Sequence, residues 1–309
     1  MVSHFKYHAF GQVIASEFPI DVLETAPAEA RPTIRVELAQ GLRQGERAED
    51  PFFEITETRQ VFEWRAVGAF EITDPACIRV DPRPDIPWRL VSQPLLGIVI
   101  SVALERLGLF CLHGGSVDVE GGAVIVLGDK GAGKSTTVSS LLRAGHRLLT
   151  DDLVALDCGD HSAAAEVQTG FPAVKLWPDS AGALAGESDL GTELIHPSIT
   201  KIQKQIDPAV MARPTPARAI FLLAPTEEGE TRAERLPETR ALEALLYFAF
   251  IARFGNTSLG RAHLALFMKR CCHVVKTTPV YVLHIRRDLD RLDDLAAVIR
   301  AEALAAARA

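Results

Sequence analysis

The feature that most constrains the fold is an apolar run, Ala123-Val124-Ile125-Val126-Leu127, that ends in Gly128-Asp129-Lys130-Gly131-Ala132-Gly133-Lys134-Ser135. Apolar residues in unbroken succession, bounded by glycines, read as a strand buried on both faces. A helix is expected directly after it, from about Lys134 to Ala144. The run fits G-x-x-x-x-G-K-[ST] at every fixed position, and strand, loop and helix stand in the order a phosphate loop requires. Glycines are needed because the backbone must bend until successive N–H groups point inward at phosphates, where a Cβ would intrude. The helix N-terminus adds its partial positive charge. Lys134 supplies a mobile cation for β- and γ-phosphates, and Ser135 a hydroxyl ligand for Mg²⁺. Residues Gly128 to Ser135, with Thr136 after them, are therefore the candidate binding residues for ATP and Mg²⁺.

A second feature follows at Asp151-Asp152, inside an apolar stretch expected to form one strand over Leu148–Leu156. Phosphoryl transfer needs a carboxylate for Mg²⁺ and often a second one to orient or deprotonate the acceptor. Side chains alternate across a strand, so adjacent aspartates share one site only at a strand end or bend. The flanking Leu148, Leu149, Leu153 and Val154 argue against a solvated turn. The third feature is His113-Gly114. It stands on a strand expected to pair, through a turn at Glu120-Gly121-Gly122, with the strand that enters the loop. Position alone leaves His113 open between a structural and a catalytic role.

Two compositional regimes divide the chain. From Tyr7 to about Asp85, short period-two segments such as Thr33–Leu38, Phe52–Thr56 and Phe62–Val67 predict a mostly antiparallel sheet. Asp81–Pro87 carries three prolines and reads as a linker. Beyond it the pattern predicts helices at Arg89–Gly108, Glu238–Arg253, Ser258–Val275 and Asp290–Ala309, with strands at Ala219–Leu223 and Val280–Ile285. Residues 196–218 are Pro-rich and basic and read as a long loop. Its Lys201, Lys204, Arg213 and Arg218 could hold phosphates or a peptide carboxylate, or lie on a solvated surface. Trp177 reads as packing rather than a stacking platform. The expected division is a β-rich domain over 1–90 and an ATP-binding α/β domain over 91–309.

A formal net charge of −7 argues against a nucleic-acid partner, since phosphate backbones reward a basic face. Glu105 and Arg106 interrupt the most apolar stretch, Pro94–Leu112, which favours an amphipathic, half-buried helix over a membrane span. The N-terminus lacks a basic run followed by an apolar block. Five cysteines without ligand spacing fit reduced thiols, and a cytoplasmic location is expected.

Taken together, His113-Gly114-Gly115-Ser116-Val117, the loop Gly128–Ser135 and Asp151-Asp152 resemble the catalytic core of HPr kinase/phosphorylase. The resemblance covers about residues 105–160, and more weakly Pro279–Leu292. That family phosphorylates a protein serine, and its fold is related to phosphoenolpyruvate carboxykinase. The segments Tyr7-His8-Ala9-Phe10-Gly11, Ala15-Ser16-Glu17 and Lys175-Leu176-Trp177-Pro178-Asp179 are similar to HPr-kinase-like proteins of peptide biosynthetic clusters, some of them lasso-peptide kinases. The resemblance implies a serine kinase acting on a peptide substrate, a ribosomally made precursor, with a homo-oligomer left open. It implies Asp151 as base, Asp152 with Ser135 at the metal, and His113 orienting a carboxylate or the γ-phosphate. Two departures separate the chain from the family's own substrate and its phosphorolysis reaction. Thr136 stands where the family has an acid, and Met211–Pro216 stands where it has a glycine-containing signature. Two other classes stay open, a small-molecule kinase with a parallel sheet and an Arg-rich lid, and a nucleotide-dependent binding or scaffold protein without transfer activity.

Overall fold

The computed structural model describes residues 4–43, 50–159, 163–176, 192–196, 199–227, 229–254, 260–286 and 292–308. The N-terminal strands are β1 (Phe5–Ala9), β2 (Gln12–Ser16), β3 (Glu24–Thr25), β4 (Ile34–Leu38), β5 (Phe52–Ile55), β6 (Gln60–Trp64), β7 (Gly68–Asp74) and β8 (Cys77–Pro82). They form one eight-stranded sheet in the order β3-β1-β2-β4-β8-β7-β6-β5, antiparallel except at β2–β4 and β4–β8. Alternation decides which residues point inward. In β4, Ile34 and Val36 are buried while Arg35 is exposed. The expected linker begins later than its prolines suggest, because Asp81 and Pro82 finish β8 and the Asp81 carboxylate accepts the Leu42 and Arg43 N–H groups.

One helical segment, α1 (Trp88–Arg106), covers the inner face of this sheet. Pro94 cannot donate to the helix ladder, and a π turn over Leu95–Val99 follows it directly. The segment is long and apolar enough to cross a membrane, but 61% of its apolar window is buried inside the protein. Glu105, expected on a solvated face, is instead 2% exposed, whereas Arg106 reaches out to Gln60.

The remaining strands are β9 (Phe110–Leu112), β10 (Gly114–Val119), β11 (Gly122–Leu127), β12 (Arg147–Thr150), β13 (Val154–Asp157), β14 (Glu166–Val167), β15 (Ala173–Leu176), β16 (Thr192–His196), β17 (Ile199–Gln205), β18 (Thr215–Thr226), β19 (Arg232–Arg235) and β20 (Val280–Arg286). The helices are α2 (Lys134–Arg143), α3 (Glu238–Phe248), α4 (Arg261–Thr277) and α5 (Leu292–Ala306). A nine-stranded mixed sheet runs β12-β10-β11-β18-β14-β13-β9, with β20 and β19 joined to the outer part of β18. Its centre is parallel, since β11 pairs β18 and β18 pairs β20 in the same sense. Both faces are covered. Ile125 and Leu127 pack with α3 and α4, whereas Val124 and Val126 pack with α2 and α5. This double burial is why β11 reads as an unbroken apolar run. The protein is thus mixed α/β with two large sheets.

Three expectations need correction. The single strand over Leu148–Leu156 is two strands, β12 and β13, which pair with different partners, β10 and β9. The loop over 196–218 is largely strand, with β17 and the start of β18 separated by a short turn at Pro208–Val210 that Asp207 caps. Among the described side chains, Lys204 and Arg218 stand apart. Lys204 lies across from Val174, while Arg218 is held at the distant β10–β11 turn by the carbonyls of Val119 and Glu120. Helix α3 stops at Phe248 because Ala249 bridges to Leu112 and the Phe248 carbonyl accepts the His113 N–H. Trp177, Pro178 and Asp179 lie outside the described residues, as does the side chain of Lys201.

Candidate active site

The loop 128–133 leaves β11 at the carboxyl end of the parallel strands, the position where open α/β sheets bind ligands. Gly131 and Gly133 take φ of +84° and +98°, the left-handed region that a side chain resists, and Gly133 is the N-cap of α2. No side chain caps that helix start, so its first N–H groups are presented toward the loop. The Lys134 ammonium reaches back to the carbonyls of Gly128 at 2.7 Å and Asp129 at 3.2 Å. From above, the Tyr247 hydroxyl at the end of α3 donates to Asp129 Oδ1 at 3.0 Å, although the tyrosine itself is largely exposed.

The hairpin β10–β11 brings His113-Gly114 beside the loop, since Gly114 pairs with Leu127. Two glycines are required here by close approach. A Cβ on Gly114 would lie 2.5 Å from the Val126 carbonyl oxygen. One on Gly115 would lie 2.6 Å from Val138 of α2 and 3.4 Å from Asp151 Oδ1. Strand β10 is therefore wedged between the phosphate-loop helix and the carboxylates.

Asp151 and Asp152 occupy the bend between β12 and β13. Asp152 has φ +72°, and the Leu153 N–H donates to the Asp151 carbonyl at 2.9 Å around it. That is γ-turn geometry, rare and strained, and it is the bend that adjacent aspartates need in order to face one site. From β12 to β11 is two strand spacings, about 10 Å, so the carboxylates stand within a triphosphate's reach of the loop.

One residue ties the pair together. The backbone N–H of Lys175 donates to Asp151 Oδ2 at 2.8 Å, and its ammonium lies 2.9 Å from Asp152 Oδ2. Burial opposes the charge of Lys175, but Asp152 and Asp151 outweigh it and hold the amine above its ordinary range. On the other side His113 Nδ1 is 3.0 Å from the Asp152 carbonyl and 3.5 Å from Oδ1. A carbonyl only accepts, so the ring donates from Nδ1 in this contact. The ring packs edge-on against Phe250 at 5.5 Å.

The structure thus brings together His113, Asp151 and Asp152 and sets the loop with Lys134, Ser135 and Thr136 beside them. The sequence motifs do not mark Lys175 or Tyr247 as site residues. For Lys175 a signal existed, a lone cation after the apolar Phe171-Pro172-Ala173-Val174, where a charge must find a partner. For Tyr247 there was none.

No protein-family model matches the chain. Among curated proteins it is 42% identical over 78 residues to an HPr kinase/phosphorylase of Limosilactobacillus reuteri, covering 25% of this chain and 24% of the relative. It is 51% identical over 69 residues to the protein of that name from Clostridium botulinum, covering 22% of this chain and 21% of the relative. The chain therefore spans about a quarter of the length of the curated relatives it matches. Over those stretches it is HPr kinase-like. A solved HPr(Ser) kinase/phosphatase from Coxiella burnetii overlaps 63% of this chain and 97% of its own at 12% identity and a TM-score of 0.32, too loose to establish a shared fold.

Proposed function

We propose that the protein is an ATP- and Mg²⁺-dependent kinase that transfers the γ-phosphoryl group to a serine hydroxyl of a peptide. The observation that carries this reading is the strained Asp151-Asp152 turn, set two strands from a phosphate loop and fixed by Lys175. The residues fit the nucleotide. The loop amides, the uncapped start of α2 and Lys134 would hold the phosphates. Ser135 and Asp152 would hold Mg²⁺, which takes few protein ligands and completes its shell with phosphate oxygens and water. When bound, the metal neutralises charge on the transferred group.

In the reaction the acceptor oxygen bonds to the γ-phosphorus while the bond to the β–γ bridging oxygen breaks, releasing ADP. Asp151 accepts the hydroxyl proton, and its buried setting and fixed Oδ2 keep the other oxygen aimed. His113 steadies Asp152 through Nδ1. The acceptor we favour is the C-terminal serine of a lasso-type precursor peptide, and the location cytoplasmic. A small-molecule kinase draws less support, because the strand beside the loop that carries Gly114 is an antiparallel hairpin partner. The test is incubation with γ-labelled ATP, Mg²⁺ and a peptide ending in serine. Label recovered as peptide phosphoserine supports the reading, and nucleotide binding without any transfer to serine peptides defeats it.

A further inference from the structure

The carboxylate pair already holds a cation, and that cation is part of the chain. Lys175 Nζ sits on Oδ2 of Asp152, the carboxylate proposed above for the metal, while its backbone N–H holds Asp151 Oδ2. The two attachments differ in kind. The backbone one is fixed, because β15 pairs with β17 through Lys175 and Gln203, and β15 packs against α2 beside Val138 and Leu141. The side-chain one is a flexible four-carbon stem with a point charge at its tip. A Mg²⁺ ion bonds a carboxylate oxygen at about 2.1 Å, and an ammonium on the same oxygen would then stand within about 4 Å of a dication in a half-buried site, which is strongly repulsive.

We propose that Lys175 is a placeholder for the metal. It neutralises Asp152 until Mg²⁺ and nucleotide arrive, yields that oxygen to the metal, and moves its ammonium onto the γ-phosphoryl oxygens. This rests on the kinase reading above. Its charge then assists the transfer already described, in which the serine oxygen–phosphorus bond forms, the β–γ bridge breaks toward ADP and the serine proton passes to Asp151. Throughout, Asp151 keeps its backbone anchor, because strand pairing does not change when the side chain swings. Lys175 would thus act twice, first as a competitor of the metal and then as a catalytic residue on the phosphoryl group.

A purely structural lysine and a placeholder predict opposite effects on metal affinity. The experiment titrates Mn²⁺, as a paramagnetic probe, into the full chain with a β,γ-imido ATP analogue and no acceptor, and reads free Mn²⁺ by electron paramagnetic resonance. Removing the competitor in Lys175→Met is expected to tighten Mn²⁺ binding several-fold while turnover with peptide falls on the order of 100-fold, mainly in kcat. In Lys175→Arg the guanidinium can grip Asp152 with two N–H groups and leaves less readily, so Mn²⁺ binding weakens in a chain of wild-type melting temperature. That arm keeps the test decisive should the Met variant fail to fold. Weaker or unchanged Mn²⁺ binding in a folded Lys175→Met protein overturns the placeholder role and leaves the kinase reading standing. A wild-type protein that binds no Mn²⁺ with the nucleotide overturns both.

Discussion

Gly115→Ala tests the wedge between the phosphate-loop helix and the carboxylates with a single methyl group. The new Cβ would lie 2.6 Å from Val138 Cγ2, about an ångström inside ordinary contact, and Val138 is fully buried against Val126 and Leu141. The same Cβ reaches ordinary contact with Asp151 Oδ1 at 3.4 Å and the Thr150 carbonyl oxygen at 3.6 Å, so a shift away from Val138 presses on the carboxylate side. Overpacking of this kind costs about 1–3 kcal/mol, which lowers the melting midpoint of a chain this size by a few degrees. The functional cost is expected to be larger. Relief by moving α2 away from β10 separates Lys134 and Ser135 from Asp151, and a misplacement of about 1 Å can cost on the order of 100-fold in rate. Calorimetric melting, nucleotide affinity and turnover measured on one preparation check this. A Gly115→Ala protein with wild-type melting and wild-type turnover would refute the close approach of β10 to both elements.

Lys134→Ala removes the cation at the loop, so ATP turnover should fall by orders of magnitude while the circular dichroism spectrum and melting midpoint stay near wild type; wild-type turnover sinks the loop assignment. Asp151→Asn should abolish transfer and leave MgATP affinity nearly intact, whereas Asp152→Asn should weaken Mg²⁺-dependent binding, and titration calorimetry giving the reverse would exchange the two roles. Glu105 is pushed up to about 8 by burial, against the Cys111 N–H and Arg270, and its Oε2 has no hydrogen-bond partner among the described residues. The folded state therefore keeps a proton that the unfolded chain releases, so stability is full below pH 4.5 and falls by at most roughly 5 kcal/mol as pH rises to about 8. Glu105→Gln should melt higher than wild type by a margin that grows from pH 5 to pH 8, and melting curves that stay parallel across that range would contradict it.

What could be read from the sequence was what short-range chemistry decides. The strand, loop and α2 over residues 123–143 follow from an apolar run, two glycines that must take left-handed backbone and a lysine-serine pair, all close together in the chain. The aspartates could be assigned to a bend because alternation forbids adjacent residues from sharing a strand face. The bend itself, and the division into β12 and β13, depends on pairing with β10 and β9, which no local pattern encodes. The same holds for Lys175, 24 residues from Asp151, and for Tyr247, 118 residues from Asp129. Residues 196–218 read as a loop because proline and lysine mimic loop composition and Ile199–Gln205 carries no period-two alternation; pairing with β15 and β16, which no local pattern encodes, makes β17 a strand.

The first sheet bears on the site through one turn. Between β1 and β2 stand only Phe10 and Gly11, at φ of +54° and +69°, the geometry of a two-residue type I′ hairpin. Gly11 suits that turn, and a Cβ there would also run into Gln168. Phe10 does not suit it, since left-handed backbone costs a non-glycine residue about 1–2 kcal/mol. The ring offsets that cost because it is fully buried, edge-on to Phe171 at 6.1 Å, and burial of a phenylalanine contributes about 1.5–3 kcal/mol. The Phe10 N–H also donates to the Thr169 carbonyl at 2.6 Å, and Phe10 lines one wall of Gly170, whose missing side chain lets Thr150 approach. Thr150 in turn donates to the Leu153 carbonyl across the aspartate bend. A strained phenylalanine at the tip of an N-terminal hairpin and the residue before Asp151 thus both close on Gly170, and Phe171 lies two residues before the strand that carries Lys175. The turn could not relax to ordinary backbone without withdrawing the ring from this wall, so the first sheet and the carboxylate bend are packed as one continuous interior rather than joined by the chain alone.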